Sequence, residues 1–243
     1  AGGEGAAGMD PTVPDMSFVR LRRPDGEEML YIPGSSLRGV LRGHAERLLR
    51  SVRPDAACDP LAHGEGETTY GLKRACRFKD DVSGDLAYRE ACYACRLFGA
   101  TGLASRVRVA DLYPDGRVWY DTRYGVAIDR EKEAVRNKFD FEVVPPGTRF
   151  GLEIVAENLA PEELGLLWLG LRELEAGRIP VGGFKGRGLG RVALERLRAR
   201  YVDAADPDAL RRYLLKGEMR EATRETLDEW LEALLPRGGG QNA

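Results

Sequence analysis

Four cysteines are the residues whose type and spacing point most directly to chemistry. They stand at Cys58, Cys76, Cys92 and Cys95, all within one polar stretch. The two residues between Cys92 and Cys95 let both thiolates reach one tetrahedral ion, which is the spacing of a metal knuckle. Four unrelated thiols, or a redox pair of Cys92 and Cys95, are the alternatives. The pattern favours a closed structural zinc site, with His63 as a spare candidate ligand.

A first cluster of basic residues has the placement expected of a phosphate site. Arg38 and Arg42 are four residues apart and therefore share a face of a predicted helix. They follow Ser35 and Ser36 at the start of that helix, where free backbone N–H groups favour an anion. A solvated helix face is the alternative.

A glycine-rich loop over residues 182–190 carries a second basic cluster, with Lys185 and Arg187 among the glycines. Glycine lets backbone N–H groups approach a phosphate, and the two side chains add positive charge. The loop precedes a predicted strand rather than a helix, so it does not match a dinucleotide-binding motif. Both clusters together favour nucleic acid as a ligand.

The elements that must position these residues alternate between strands and helices. Apolar alternation predicts strands at 16–23, 29–32, 106–113, 149–156 and 191–197, and helical spacing predicts helices at about 34–52, 161–175, 207–216 and 220–235. Residues 53–95 read as an irregular insertion, and residues 117–142 as a long loop or hairpin. The α+β order resembles a ferredoxin-like βαββαβ unit. One strand ahead of the first helix is unaccounted for, and we expect it to precede Ala1.

The composition is typical of a globular protein with nearly balanced charge. Apolar residues make up 43% of the 243 residues, which is enough for a core, and the net charge is only −2. Any nucleic-acid contact must therefore come from local patches. No apolar run reaches the roughly 18 residues of a membrane span. No secretion signal is visible, so we expect a cytoplasmic protein without a membrane partner.

Several strings of residues are distinctive. The first is Tyr-Ile-Pro-Gly-Ser-Ser-Leu-Arg-Gly at 31–39, and residues 95–99 and the glycine-rich loop at 182–190 follow it. In sequence and in order, these strings resemble the RAMP superfamily and, within it, the repeated backbone subunit of type III CRISPR effector complexes. Residues 123–130, followed by 141–148, resemble that family's thumb hairpin and the strand after it.

The resemblance implies an RNA-recognition-like α+β core over residues 1–200. That core would carry the zinc insertion at 53–95 and an inserted thumb at about 117–145, and residues 201–243 would be a C-terminal helical extension. The implied partners are CRISPR RNA, target RNA, further copies of this chain and other effector subunits. The residues we expect to contact RNA are Ser35, Ser36, Arg38, Arg42, Arg123, Lys185 and Arg187.

Family members that cut target RNA use a loop aspartate, and Asp15 occupies the matching position. A lone carboxylate could hold Mg²⁺ or another divalent ion beside the RNA 2′-hydroxyl, which predicts a metal-dependent endoribonuclease. Asp10 is the rival position, and an ordinary turn role for Asp15 is the alternative. Two other functions stay open. One is a non-catalytic RNA-binding scaffold, and the other is a metal-independent guide-processing ribonuclease that would depend on His44.

Overall fold

A computed structural model describes the backbone of Gly2–Glu4 together with residues 14–62 and 75–235. Asp10 and His63 lie outside the described residues. Six helices and ten strands are present in the part of the chain that is described. This mixture confirms the α+β class.

The predicted helices are present with nearly the expected bounds. Several begin at a recognisable cap: Asp206 accepts hydrogen bonds from two backbone N–H groups, and Thr223 accepts one. Proline occupies the first helical position of α4 and α5. The helices are α1 (Gly34–Val52), α2 (Gly84–Glu90), α3 (Tyr93–Phe98), α4 (Pro161–Glu175), α5 (Pro207–Lys216) and α6 (Arg224–Leu234).

The cysteine-rich segment 53–95 is more ordered than the predicted irregular insertion. A 3₁₀ turn at Pro54–Ala56 opens it, and α2 with the first half of α3 lies in its second half. Ser83 caps α2 by accepting a hydrogen bond from a first-turn N–H. Asp85 and Arg89 form an ion pair along the same helix. The cap and this pair are local signals that the sequence analysis missed.

The strands form four small sheets among the described residues. One has four strands in the order β1-β2-β7-β6, and the others are the pairs β3–β4, β5–β8 and β9–β10. A continuous ferredoxin-like sheet is not present in these residues. The strands are β1 (Gly2–Glu4), β2 (Met16–Phe18), β3 (Arg20–Arg22), β4 (Glu28–Leu30), β5 (Val107–Val109), β6 (Asp121–Asp129), β7 (Ala134–Val143), β8 (Ile154–Ala156), β9 (Arg200–Tyr201) and β10 (Arg220–Glu221).

Four predicted strands differ from the structure. Those at 106–113 and 149–156 are shorter, since only β5 and β8 form there. The strand predicted at 16–23 is divided, because β2 pairs with β1 and β7 whereas β3 pairs with β4. The strand predicted at 191–197 does not form. Arg196 has a φ of 56° there, and a regular strand does not accommodate a positive φ.

The region predicted as a loop or hairpin is a long antiparallel hairpin. β6 and β7 pair from Asp121 and Val143 at the base to Asp129 and Ala134 near the turn. A register shift between Ala127 and Ile128 marks an irregularity of the β-bulge type, which adds local twist.

The chain divides into two compact units, and the boundary falls within α1. The first unit contains the four-stranded sheet with its hairpin. The second contains the cysteine-rich segment and α2 to α6. Their residues are the described parts of Ala1–Val40, Arg108–Val155 and Pro180–Gly190, and of Leu41–Val107, Ala156–Ile179 and Arg191–Ala243. The boundary expected near residue 200 stays a prediction.

Close helix packing organises the second unit. A Cβ at Gly165 of α4 would lie 2.0 Å from the carbonyl oxygen of Trp230 in α6, so glycine permits the two helices to approach. The fully buried Glu163 accepts hydrogen bonds from Tyr88 and Arg106, which satisfies its charge. None of the described helices is long and apolar enough to cross a lipid bilayer.

Candidate functional site

The four cysteines converge in the second unit. All four are buried, and their Sγ atoms lie within 4.8 Å of one another. The Sγ atoms of Cys58 and Cys95 are 3.5 Å apart. Ligand sulfurs of a tetrahedral zinc site are about 3.8 Å apart, from Zn–S bonds of ~2.3 Å. The cluster is therefore compatible with one zinc ion, as the spacing predicts.

Short local elements bring these cysteines together. Cys58 follows the 3₁₀ turn, Cys92 is the N-cap of α3, and Cys95 lies in the first turn of that helix. Cys76 precedes a β-bridge between Arg77 and Thr101. Long-range contacts between short pieces therefore build the cluster.

Hydrogen bonding inside the cluster shifts the acidity of its thiols. The Cys58 thiol stabilises the neighbouring thiolates, which lowers the pKa of Cys76 to about 7 and lowers the pKa of Cys92 as well. The backbone N–H of Cys58 also donates to the Cys92 sulfur, at 3.5 Å. Hydrogen bonding with the neighbouring cysteines raises the pKa of Cys58 and of Cys95 instead, so two of the four sulfurs favour the thiolate, which is the form that binds metal.

Arg42 does not face solvent as the phosphate assignment expects. It is half-buried and donates to Glu46 at 2.8 Å, to the Gly99 carbonyl oxygen at 2.9 Å and to the Cys95 Sγ at 3.3 Å. These contacts bring its guanidinium to the cysteine cluster. Its RNA-binding role stays a prediction.

The start of α1 is already occupied by an acidic side chain. The helix begins at Gly34, so Ser35 and Ser36 lie inside its first turn. The Gly34 N–H donates to an Asp111 carboxylate oxygen at 2.7 Å. A carboxylate here offsets part of the helix dipole that was expected to attract phosphate. Arg38 is half-buried in the following turn.

The predicted catalytic aspartate lies beside a second one. Asp15 is exposed, its backbone N–H donates to Asp140 Oδ1, and the Asp140 N–H donates to Asp15 Oδ2. Asp140 belongs to β7, at the base of the hairpin. Sequence reasoning missed Asp140 because 125 residues separate the two.

The glycine-rich loop packs against the same part of the hairpin. The Phe184 ring lies 4.4 Å from the Phe141 ring and 5.8 Å from the Phe139 ring, between centroids. The Arg187 guanidinium lies over Phe139 and Phe184, at 4.8 and 4.9 Å. Lys185 and Arg187 are exposed in a 3₁₀ turn. Gly190 is required, because a Cβ there would lie 2.2 Å from the Val181 carbonyl oxygen.

The hairpin presents apolar side chains to solvent, from Tyr124 near its base to Ile128 near its turn. Tyr124 is 82% exposed and Ile128 is 61% exposed, and Val126 and Val135 are also exposed. Arg123 is exposed on the neighbouring position of β6. Exposed apolar side chains that are concentrated on one hairpin are typical of a contact surface.

His44 is buried, unlike a residue that must reach RNA. Its Nδ1 lies 2.6 Å from Arg47 Nη2. Burial and the Arg47 charge lower the pKa of His44, which keeps the ring neutral. This environment gives no support to the guide-processing alternative.

A sequence model of the RAMP superfamily matches residues 2–193. The chain belongs to the RAMP superfamily, which confirms the family predicted from the residue strings. Among solved structures, a chain from one titled "Type IV-B CRISPR Complex" is 22% identical, with a TM-score of 0.51. The match covers 76% of this chain and 83% of that one, and it concerns the fold. No curated protein matches the chain.

Proposed function

We propose that this chain is an RNA-binding backbone subunit of a CRISPR effector complex of the type III kind. The observation that carries the proposal is the convergence of three distant segments at the base of one hairpin. Asp15 is hydrogen-bonded to Asp140 of β7, and Phe184 of the glycine-rich loop packs on Phe139 and Phe141 of the same strand. Membership in the RAMP superfamily supports the same function.

RNA backbone would be held by the charged and small residues around this base. Arg187 and Lys185 offer exposed charge on a glycine-rich turn, and Arg123 offers it on β6. Ser35, Ser36 and Arg38 would contribute from the first turns of α1. Such contacts read shape and phosphate, which suffices because base pairing between guide and target reads the sequence. CRISPR RNA and target RNA are therefore the proposed ligands.

The hairpin would act as the family's thumb. Its exposed apolar residues, Tyr124, Val126 and Ile128, suit insertion between base pairs, since apolar wedges unstack neighbouring bases. A displaced nucleotide would then lie near the hairpin base. Repetition of the subunit along the guide would place such a wedge at regular intervals, with further copies and other effector subunits as neighbours.

Asp15 would supply the catalytic carboxylate for cutting the displaced target strand. A divalent ion such as Mg²⁺, when bound, supplies Lewis-acid activation of a 2′-hydroxyl beside the scissile phosphate. Asp15 is exposed, so its carboxylate is available to such an ion, and Asp140 holds its backbone in place. The four cysteines would hold a structural zinc that supports the second unit and takes no part in cutting.

A non-catalytic scaffold of the same complex is the second candidate. Cys58, Cys76, Cys92 and Cys95 make the one group of three or more potential metal ligands found within the described residues, so Asp15 is not part of such a group there. One Asp15 oxygen also accepts the Asp140 N–H. Both facts favour a structural role for Asp15 in this alternative.

The test is cleavage of a guide-complementary RNA by the assembled complex, with Mg²⁺ and with EDTA. Asp15→Asn is compared with the parent, and Asp25→Asn, an exposed aspartate in the turn before β4, is the matched control. We expect regularly spaced products from the parent and the control that disappear with EDTA or Asp15→Asn. If the parent binds the target tightly without cutting it, the non-catalytic scaffold is the better description of the protein. Cutting in EDTA would contradict the metal-dependent mechanism.

A further inference from the structure

One face of α1 carries a row of charged residues directed at the cysteine cluster. Arg42, Glu46 and Arg50 are spaced four residues apart, which places them on successive turns of one face. Glu46 is buried and accepts from Arg42 at 2.8 Å, and Arg50 Nη2 lies 3.6 Å from its other oxygen. The three side chains form a single ion-pair chain, which we call the charged row.

Both ends of the charged row contact the segments that carry cysteines. Arg42 donates to the Cys95 Sγ and to the Gly99 carbonyl oxygen, on either side of the end of α3. Arg50 donates to the carbonyl oxygens of Ala57 and Cys58. The row therefore fixes two of the cysteine-bearing segments from outside the cluster.

The negative charge of a zinc ion with four thiolate ligands explains why an arginine would be needed beside the cysteine cluster. Four thiolates around one Zn²⁺ carry a net charge of −2, and the site is buried. A buried negative charge is unfavourable unless cations or hydrogen-bond donors offset it. Arg42 brings a permanent positive charge and a donor to one sulfur. Its planar guanidinium reaches Glu46, Gly99 and Cys95 together, which an ammonium group does not reproduce.

We propose that Arg42 is a positioning residue of the metal centre and sets how tightly the cluster retains its ion. This inference rests on the proposed zinc site. Groups that orient metal ligands from outside typically change metal affinity by about 10–100-fold when removed. Arg42 accordingly acts at the cysteine cluster, rather than at RNA phosphate beside Arg38.

The experiment measures zinc release from the purified full-length chain into a chromogenic chelator. Arg42→Gln should release zinc about 10–100-fold faster than the parent, since the charge and the sulfur contact are lost. Arg42→Lys keeps the charge without the three-way contact and should lie between the two. Arg89→Gln is the matched control, because it removes an exposed charge on α2 that pairs with Asp85. Equal release rates in Arg42→Gln and the parent would overturn the proposal.

Cobalt separates this outcome from failure of the metal site itself. The parent loaded with Co²⁺ should show the intense thiolate-to-metal charge-transfer absorption of a four-sulfur site. If the parent binds neither Co²⁺ nor Zn²⁺, the proposed zinc site is wrong, and this inference falls with it. Guide-RNA affinity of the zinc-loaded variants is the second readout. Affinity at the parent level in Arg42→Gln supports the positioning role, whereas lost affinity with unchanged zinc release assigns Arg42 to phosphate.

Discussion

Asp15 and Asp140 hold each other through two hydrogen bonds of opposite direction. The N–H of Asp15 lies 2.8 Å from Asp140 Oδ1, and the N–H of Asp140 lies 3.1 Å from Asp15 Oδ2. The pair ties the segment before β2 to the base of the hairpin. The position of the proposed catalytic carboxylate therefore depends on a residue that belongs to the hairpin.

Removal of the Asp140 carboxylate should slow target cleavage without weakening guide binding. Asp140→Ala leaves the Asp15 N–H without its acceptor, which frees the Asp15 backbone although its carboxylate still accepts the backbone N–H of residue 140. Misplacement of a catalytic group by about 1 Å can lower a rate by ~100-fold. We therefore expect the cleavage rate to fall by about 10-fold or more. Single-turnover cleavage and guide affinity are the two measurements. Asp140→Asn keeps an acceptor oxygen and should retain more activity, so equal loss in both variants would contradict this explanation.

Shortening the hairpin should change where the target is cut. Replacing residues 128–136 with Asn-Gly would close the chain at the pair of Ala127 and Asn137 through a two-residue turn. The base that carries Asp140 and Phe141 would be preserved. We expect guide affinity within about twofold of the parent, because phosphate contacts at the base dominate it, and products that lose their regular spacing.

Denaturing-gel mapping of the products is the measurement for this variant. A control with residues 130–133 replaced by glycine and asparagine keeps the hairpin length and its exposed apolar residues. It should cut like the parent. Unchanged spacing in the shortened chain would show that the wedge does not need residues 128–136, and would leave Tyr124 and Val126 as its candidates.

Neutralising Arg187 should weaken RNA binding and flatten its salt dependence. Each phosphate contact that is lost reduces the slope of log affinity against log salt by about 0.7–0.9. Arg187→Gln is therefore expected to reduce the magnitude of this slope by about 0.7–0.9, which corresponds to one phosphate contact. Binding of guide RNA at several salt concentrations measures it.

The stacked arrangement of Arg187 offers a control for the previous experiment. The guanidinium also lies over Phe139 and Phe184, so a change in loop structure could mimic loss of a contact. Arg187→Lys retains the charge but stacks less well on aromatic rings. A parent-like slope in Arg187→Lys with a reduced slope in Arg187→Gln assigns the effect to phosphate, and equal slopes in all three proteins would contradict the assignment.

Protonation of His44 should destabilise the fold at acid pH. Burial and Arg47 lower the pKa of His44 in the folded protein, Arg178 acts in the same direction, and Glu173 opposes them. The unfolded chain binds the proton near pH 6.5, so it takes up more protons than the folded chain below that value. Stability therefore falls as pH drops from about 6.5 towards the lowered pKa, by at most about 1.4 kcal/mol per pH unit.

Urea unfolding of the parent and of His44→Gln between pH 7 and pH 5 checks this. The variant lacks the titrating ring, so its stability should vary less over the interval. Identical pH dependence in the two proteins would exclude His44 as the cause.

The sequence predicted the elements whose signals are local. α1, α4 and α5 follow from apolar spacing, and the cysteine cluster follows from ligand spacing in one short stretch. Short alternating pieces over 117–142 left a long loop or a hairpin open, and the structure has the hairpin. RAMP membership followed from strings that are distinctive in themselves.

What the sequence did not predict depends on partners distant along the chain. The strand expected at 16–23 changes partner after Phe18, which no local pattern reveals. Asp111 is the acceptor for Gly34, although 77 residues separate them. Helix spacing predicts Arg42 as a phosphate ligand, and that role stays a prediction, but spacing does not show the direction of its side chain. The Arg42 guanidinium contacts Gly99 and Cys95, which lie more than 50 residues along the chain, so helix spacing alone does not predict where it points.

The exposed hairpin has a consequence for how such a chain must be made. β6 is the outer strand of the described four-stranded sheet, and its apolar residues Tyr124, Val126 and Ile128 face solvent. An unpaired strand edge bearing apolar side chains is a template for edge-to-edge aggregation. Synthesis in excess of its binding partners should therefore favour precipitation, whereas co-expression with guide RNA should keep the chain in solution.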